Sequence, residues 1–325
     1  MEKIIFNRKQ FIRTAGTLSG GAYLSTSPFG ALAKAAETRL TILHTNDWHS
    51  RIEPFPADGG SLSGMGGAAL RAEWIRHIRS QEEHVLLLDA GDIFQGTAYF
   101  NYFNGELEYK LMSQMQYDCV TLGNHDFDNG IDGIIKQLPH ATFDFVCSNY
   151  DFNNSALKDN IKPYRIFKKG GIKIGVFGLG IELSGLVPDR LFGNIRYWDP
   201  IPVANTIAER LKFKHHCDLI ICLSHLGYEY KNNKVSDVIL AQKTRHIDLI
   251  LGGHTHTFLS EPVLEKNTLG QDVWINQVGW AGVRLGRIDY VFNPFDDKVS
   301  QLSSQVYELN KTVKTVDGVG VDNQL

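Results

Sequence analysis

The 325-residue chain has no run of about 18 apolar residues, so no segment is long enough to cross a bilayer as a helix. It has no block of Lys and Arg of the kind that tracks a phosphate backbone, and its formal net charge is -3. A nucleic-acid polymer as partner therefore has no electrostatic support. Only four cysteines occur, Cys119, Cys147, Cys217 and Cys222, and none has CxxC spacing, which excludes a zinc ribbon. They lie in or beside apolar runs and read as buried filler; the sequence selects no disulfide pair among them. Internal repeats and low-complexity tracts are absent. The Gly-rich stretch ADGGSLSGMGGAA (57–69) lacks the Lys-Ser/Thr that a phosphate-cradling loop needs, and it reads as a loop opening a helix.

What is present is a hydrophobic fraction of 43 %, ordinary for a globular chain with a real core. The first 36 residues stand apart. Lys3, Arg8, Lys9 and Arg13 precede a mildly apolar stretch rich in Gly, Ser and Thr, followed by Ala31-Leu32-Ala33. This is the three-part layout of a cleaved export signal, and it implies a periplasmic or otherwise exported mature protein. NRKQFIR resembles a twin-arginine signal, with Arg8-Lys9 in place of the arginine pair.

Beyond residue 37, short apolar runs alternate with helical patterns. The runs fall at 39–45, 84–90, 118–123, 143–148, 172–179, 218–224, 248–253, 272–279 and 285–292. Residues 66–81, 106–115 and 203–216 carry apolar stripes at helical spacing; in the first, Ala69, Ala72, Ile75 and Ile78 share a face. Continuous apolar strands mean burial on both faces, so the chain reads as α/β with at least one mixed or parallel sheet layered with helices. Residues 37–300 form the expected catalytic domain, and 301–325 a loose tail with little apolar periodicity.

Five of the runs end in metal-ligand or acid/base residues. LHTNDWH supplies Asp47 and His49, LLLDAGD supplies Asp92, and VTLGNHDFD supplies Asn124, His125, Asp126 and Asp128. ICLSH supplies His225, and LILGGHTH supplies His254 and His256. In open α/β sheets ligands bind outside the carboxyl ends of strands, so five such ends would bring these groups together. Extended backbone points residues i and i+2 the same way, which would let Asp47 with His49, and His254 with His256, each aim two ligands at one place. A lone histidine after a strand is more often an ordinary hydrogen-bonded group, and His44, His77, His84, His140, His215, His216 and His246 are read so. The joint pattern is different, because chance rarely places Asp-x-His, Gly-Asp, Gly-Asn-His-Asp, His and Gly-His-x-His at successive strand ends. Asp, His and Asn donors without Cys suit Zn, Mn or Fe, with Co also compatible, better than Ca. A pair of such ions about 3.5–4 Å apart can generate hydroxide near neutral pH and clamp the oxygens of an in-line displacement.

This ordered set resembles the calcineurin-like metallophosphoesterase family. Within it, LTILHTNDWHSRIEP, DAGDIFQGT and TLGNHDFDNG are similar to the bacterial periplasmic 5'-nucleotidase and UDP-sugar hydrolase branch, over roughly residues 39–295. The resemblance implies a four-layer α/β/β/α sandwich with two divalent metal ions at the strand ends. It implies Asp47, His49, Asp92 and His256 on the first ion, and Asp92, Asn124, His225 and His254 on the second, with Asp92 bridging. It implies that His125 contacts the scissile phosphate with Asp128 as its acidic partner, Asp126 ranking second for that role. The expected activity is hydrolysis of phosphate esters, 5'-nucleotides first, through hydroxide bridging the two ions. UDP-sugars, 2',3'-cyclic nucleotides and other diesters are alternative substrates, and a non-catalytic metal-containing binding module is the reading from another class. A thiosulfate-processing relative shares the scaffold. The branch usually carries a second, nucleoside-holding domain, which is expected to be absent here or supplied by a separate chain. On that expectation the site would be open and weakly selective.

Overall fold

The computed structural model describes residues 37–293 and 299–310. The expected export signal at 1–36 and residues 311–325 of the expected tail lie outside the described residues.

In chain order the strands are β1 (Thr38–Thr45), β2 (Val85–Asp89), β3 (Cys119–Val120), β4 (Asp144–Val146), β5 (Tyr150–Asp151), β6 (Ile161–Lys162), β7 (Tyr164–Lys169), β8 (Ile172–Leu179), β9 (Arg196–Tyr197), β10 (Leu219–Ser224), β11 (Leu249–Gly252), β12 (Val263–Lys266), β13 (Asp272–Asn276), β14 (Arg284–Phe292) and β15 (Val299–Glu308). One seven-stranded sheet runs β15-β14-β1-β2-β3-β4-β6, and a six-stranded sheet runs β12-β13-β11-β10-β8-β7. The centre of each is parallel, with β14 and β15, and β7 and β12, antiparallel at the margins.

The period-two alternation of side chains explains why the apolar runs are continuous. Leu40 and Ile42 of β1, and Leu86 and Leu88 of β2, meet Ile174, Val176, Leu219, Ile221 and Leu249 in a layer between the two sheets. The intervening Leu43, Val85 and Leu87 face helices α1 (Ala68–Gln81), α2 (Ala98–Phe103), α3 (Glu106–Gln114) and α4 (Gly130–Gln137). On the far side, Ile220, Cys222, Ile250 and Ile275 pack on α5 (Pro200–Glu209) and α6 (Asp237–Lys243). The result is the metallophosphoesterase-type α/β/β/α sandwich, with all four cysteines buried and free.

Three expectations are corrected. The buried face of α1 is Ala68, Arg71, Ile75 and Ile78, with Ala72 partly buried against the same core; of the expected stripe only Ala69 is exposed. Arg71 turns inward, its guanidinium 4.3 Å from the Trp48 ring centroid and near enough to the buried Asp89 for its charge to act on that carboxyl. The helix read at 203–216 begins at Pro200, where the Asp199 side chain accepts the Ile201 N–H at 3.0 Å, and its last turn, Arg210–Lys214, winds as a π turn. Residues 301–308 are not a loose tail: they belong to β15, which pairs with β14 from Phe292↔Val299 to Arg284↔Glu308. An edge strand rich in Ser and Gln shows no apolar alternation; its backbone closes the open edge of β14, and Leu302 and Tyr307 pack against the core.

Candidate metal centre

All five strand ends converge as the sequence pattern implies. Loops leaving β1, β2 and β3 of one sheet and β10 and β11 of the other bring the candidate ligands into two groups. Asp47, His49 and His256 form one, Asp92, His225 and His254 the other; within each, the ligand atoms lie within 4.8 Å of one another. In the first, His256 Nε2 is 3.3 Å from Asp47 Oδ1 and 3.0 Å from His49 Nε2. In the second, His225 Nε2 is 3.1 Å from Asp92 Oδ2, and Asn124 Oδ1 is 2.9 Å from His254 Nδ1. Asp92 Oδ2 also lies 3.9 Å from His49 Nε2, so this carboxylate stands between the groups.

The reason the pairs converge is not extended backbone. Asp47, His49, Asp92, His254 and His256 have φ of 50°, 50°, 56°, 73° and 53°, in the left-handed region. Each such residue costs on the order of 1–3 kcal/mol and persists only where the surroundings over-determine it. Here they do. Asp47 N–H donates to Gly91 O at 2.9 Å, His49 N–H to Asp92 O at 3.0 Å, and His254 N–H to both Asp47 carboxylate oxygens at 3.0 Å. His254 and His256 thereby reach different groups, although two residues apart.

The loops also approach so closely that Gly123 and Gly253 have no room for a side chain. A Cβ on Gly253 would lie 2.9 Å from His225 Nδ1 and 3.0 Å from Asp47 Oδ2.

The donor set fits divalent cations. His225 is fully buried and its Nδ1 donates to Ala90 O at 2.7 Å, which leaves Nε2 as the nitrogen that faces Asp92. That Nε2 has no hydrogen-bond partner and points at Asp92, as a metal ligand would. Burial opposes charge on His225, but the Asp92 carboxylate overrides it and pushes the group up to about 10, marking a spot that favours positive charge. Burial, then the charge of His225, holds His254 down at about 4; burial also lowers His49. Burial thus favours the neutral imidazole at both, the form that ligates. Burial alone would raise Asp92, but the charge and hydrogen bond of His225 keep it well below the usual carboxylate range.

His125 sits at the mouth. Its N–H donates to Asp92 Oδ1 at 2.8 Å, its ring lies 5.3 Å from that of His49, and Asp128 Oδ2 accepts from Nδ1 at 2.9 Å. The Asp128 hydrogen bond raises His125 above its ordinary value. Asp126 is elsewhere engaged: its fully buried carboxylate accepts from the N–H groups of Gly123, Asp92, Ile93 and Phe94 at 2.8–3.3 Å, tying the β2 and β3 loops together.

Three contributors went unnoticed in the sequence. Asn46 donates to Asp47 Oδ2 at 2.6 Å and accepts the Val278 N–H at 3.0 Å. Gln277 donates to Gly253 O at 2.7 Å. Trp280 stacks on His256 with centroids 5.4 Å apart and an interplanar angle of 6°, and meets His49 edge-on at 6.4 Å. Gln277 and Trp280 follow β13, a sixth apolar run with the same polar exit. Its exit, Asn276-Gln277-Val278-Gly279, carries no His, Asp or Glu, so it lacks the signal that marks the other five.

Comparison with known proteins places the same residues in context. The calcineurin-like phosphoesterase family model matches residues 40–258. The venom 5'-nucleotidase of Crotalus adamanteus is 34 % identical over 306 residues, covering 87 % of this chain and 50 % of the snake protein. Among solved structures, a 5'-nucleotidase precursor from Thermus thermophilus superposes with TM-score 0.74 at 29 % identity, over 83 % of this chain and 54 % of that one. The NAD nucleotidase of Haemophilus influenzae gives TM-score 0.73 at 28 % identity, over 84 % and 57 %. The chain spans about half the length of the curated relatives it matches.

Proposed function

The chain belongs to the calcineurin-like phosphoesterase family, and we propose that it is a dinuclear-metal phosphoesterase acting on phosphate esters, with 5'-nucleotides as the first candidate class. The observation that carries this reading is the pair of ligand groups flanking Asp92, with His125 hydrogen-bonded to that same carboxylate. The homologous 5'-nucleotidases support the substrate class. Residues 1–36 are read as the export signal, so the mature protein acts outside the cytoplasm.

Asp47, His49, Asp92 and His256 would hold one ion, and Asp92, Asn124, His225 and His254 the other. When bound, two such cations supply Lewis acidity toward phosphoryl oxygens and a nucleophile at neutral pH. The chain's own residues do the rest. Asn46, Gln277 and the backbone donors to Asp47 hold the ligands in place before substrate arrives. His125, partly exposed beside both groups, presents Nε2 to the ester. Asp128 fixes the proton on Nδ1 and favours the imidazolium. His125 can then give its Nε2 proton to the leaving oxygen as the P–O bond breaks, so that the alcohol departs neutral.

The test is His125→Asn, with metal content and phosphate release measured over nucleoside monophosphates, UDP-sugars, cyclic nucleotides and p-nitrophenyl phosphate. The expected outcome is two retained metals and a loss on the order of 10²–10⁴ in kcat. Loss of metal would refute the role assigned to His125. A wild-type protein that binds metal but releases no phosphate from any ester would leave the binding-module reading in its place.

A further inference from the structure

The opposite end of the second sheet carries a feature that phosphoester hydrolysis does not use. β8, β10 and β11 are parallel, and their carboxyl ends lead to the metal centre. Their amino ends are therefore about 20 Å away for six-residue strands. There the π turn Arg210–Lys214 meets the start of β8 and the segment entering β11. Lys173 Nζ donates to His215 O at 2.7 Å, and burial followed by the charges of Lys214, Lys173 and Arg210 keeps His215 below its ordinary value. Lys168 lies directly opposite Lys173 in the β7–β8 pair, a like-charge pairing that costs stability unless an anion offsets it.

The nearby acids, Glu209, Asp218 and Asp248, offset this face only in part, three carboxylates against Lys168, Lys173, Arg210, Lys212, Lys214 and Arg245. Glu209 pairs with Arg245 at 2.7 Å, Asp218 accepts the Lys173 backbone N–H at 2.9 Å, and Asp248 accepts the Ile220 N–H at 2.7 Å. Among the described residues, Lys168, Arg210, Lys212 and Lys214 have no carboxylate within ion-pair distance. The excess stands out on a chain of net charge -3. At its centre Ala204 and Ala208 of α5 and Leu211 of the π turn face inward. Phe213 points outward, 62 % exposed, its ring held edge-to-face against His246 at 5.0 Å.

We propose that Phe213 and the cations around it, Lys168, Lys173, Arg210, Lys212 and Lys214, form a docking face for an anionic lipid bilayer, leaving the metal centre facing the aqueous side. An aromatic ring inside a basic surround is the composition of an interfacial anchor: the cations meet the headgroup phosphates, and the ring leaves water for the acyl boundary. A nucleic-acid strand fits less well. It needs a stripe of cations along several phosphates, and it offers Phe213 no apolar layer.

Flotation of the full protein with vesicles tests this. Binding is expected to phosphatidylcholine mixed with phosphatidylglycerol, not to phosphatidylcholine alone, and should weaken with salt. Lys212→Ala with Lys214→Ala should lower partitioning by about 25-fold, at roughly fivefold per cation. Phe213→Ala should weaken binding, and Phe213→Trp should retain it with a blue-shifted emission on anionic vesicles. All of these variants should keep wild-type melting temperature and kcat on a soluble ester, since none touches the metal centre. Equal binding to neutral vesicles, no loss in the double-lysine variant, or tighter capture of a single-stranded oligonucleotide than of anionic vesicles would overturn the proposal.

Discussion

Replacing Gly123 with Ala isolates how tightly the centre is pre-formed. The added Cβ would sit 2.6 Å from both Asp92 N and His225 Cε1, and closer still to Asp92 Oδ1. Ordinary contacts begin near 3.4 Å, so the β2 and β3 loops must part by on the order of 1 Å. Asp92 cannot swing away freely. Its backbone is held by Asp126, and its carboxylate by His125 and His225. The expected cost is about 1–3 kcal/mol of stability, as for other overpacked sites. It should come with a loss of on the order of 10² in kcat, since a 1 Å misplacement has that effect on positioned groups. The assay is kcat on p-nitrophenyl phosphate beside metal content and melting temperature. Gly64→Ala is the control: at φ 70° it is a strained position, but it has nothing within 4 Å, so it should lose some stability and no activity. A Gly123→Ala enzyme with both metals and kcat within fivefold of wild type would refute the claim that the loops fix Asp92.

Three further outcomes are expected. Asp92→Asn should lower both metal content and activity more than His49→Ala, because Asp92 lies within reach of both ligand groups; equal residual metal in the two variants, measured by elemental analysis, would count against bridging. Trp280→Ala should weaken one of the two metals by about threefold to tenfold, since a stacked pair is worth about 0.5–1.5 kcal/mol; competition with a chelating dye reads this, and unchanged affinities would remove Trp280 from the positioning set. Burial pushes Asp237 up from 3.8 to about 8, so the folded state binds a proton that the unfolded state has released. Its contribution is full below pH 4 and is lost as pH rises to 8, so Asp237→Asn, at equal metal load, should flatten the fall in melting temperature between about pH 4 and 8; parallel curves would show that the carboxyl is ionised in the folded protein.

Much of this molecule was legible because burial on two faces writes an unbroken apolar run. All nine runs read from the sequence are strands, since each faces either the intersheet layer or a helix layer. The strands that escaped notice are marginal ones. β7 reads YRIFKK and β15 carries Ser and Gln, and a strand at a sheet margin with one wet face needs no apolar alternation. The ligands were legible because their residue types are rare at strand exits. The residues holding them were not, because Asn46, Gln277 and Trp280 act through hydrogen bonds and a ring stack that exist only once β1, β11 and β13 lie side by side. The same limit explains the difference in how the ligand pairs converge. Two ligands at i and i+2 suggested extended backbone, yet the left-handed φ at Asp47, His49, His254 and His256 is a tertiary outcome, imposed by donors from other loops. Local geometry alone would send His254 and His256 to one point. The Asp47 carboxylate, by accepting the His254 N–H with both oxygens, turns that histidine toward Asn124 and His225 and leaves His256 beside His49. One side chain thus serves as a ligand of the first group and as the backbone anchor that creates the second.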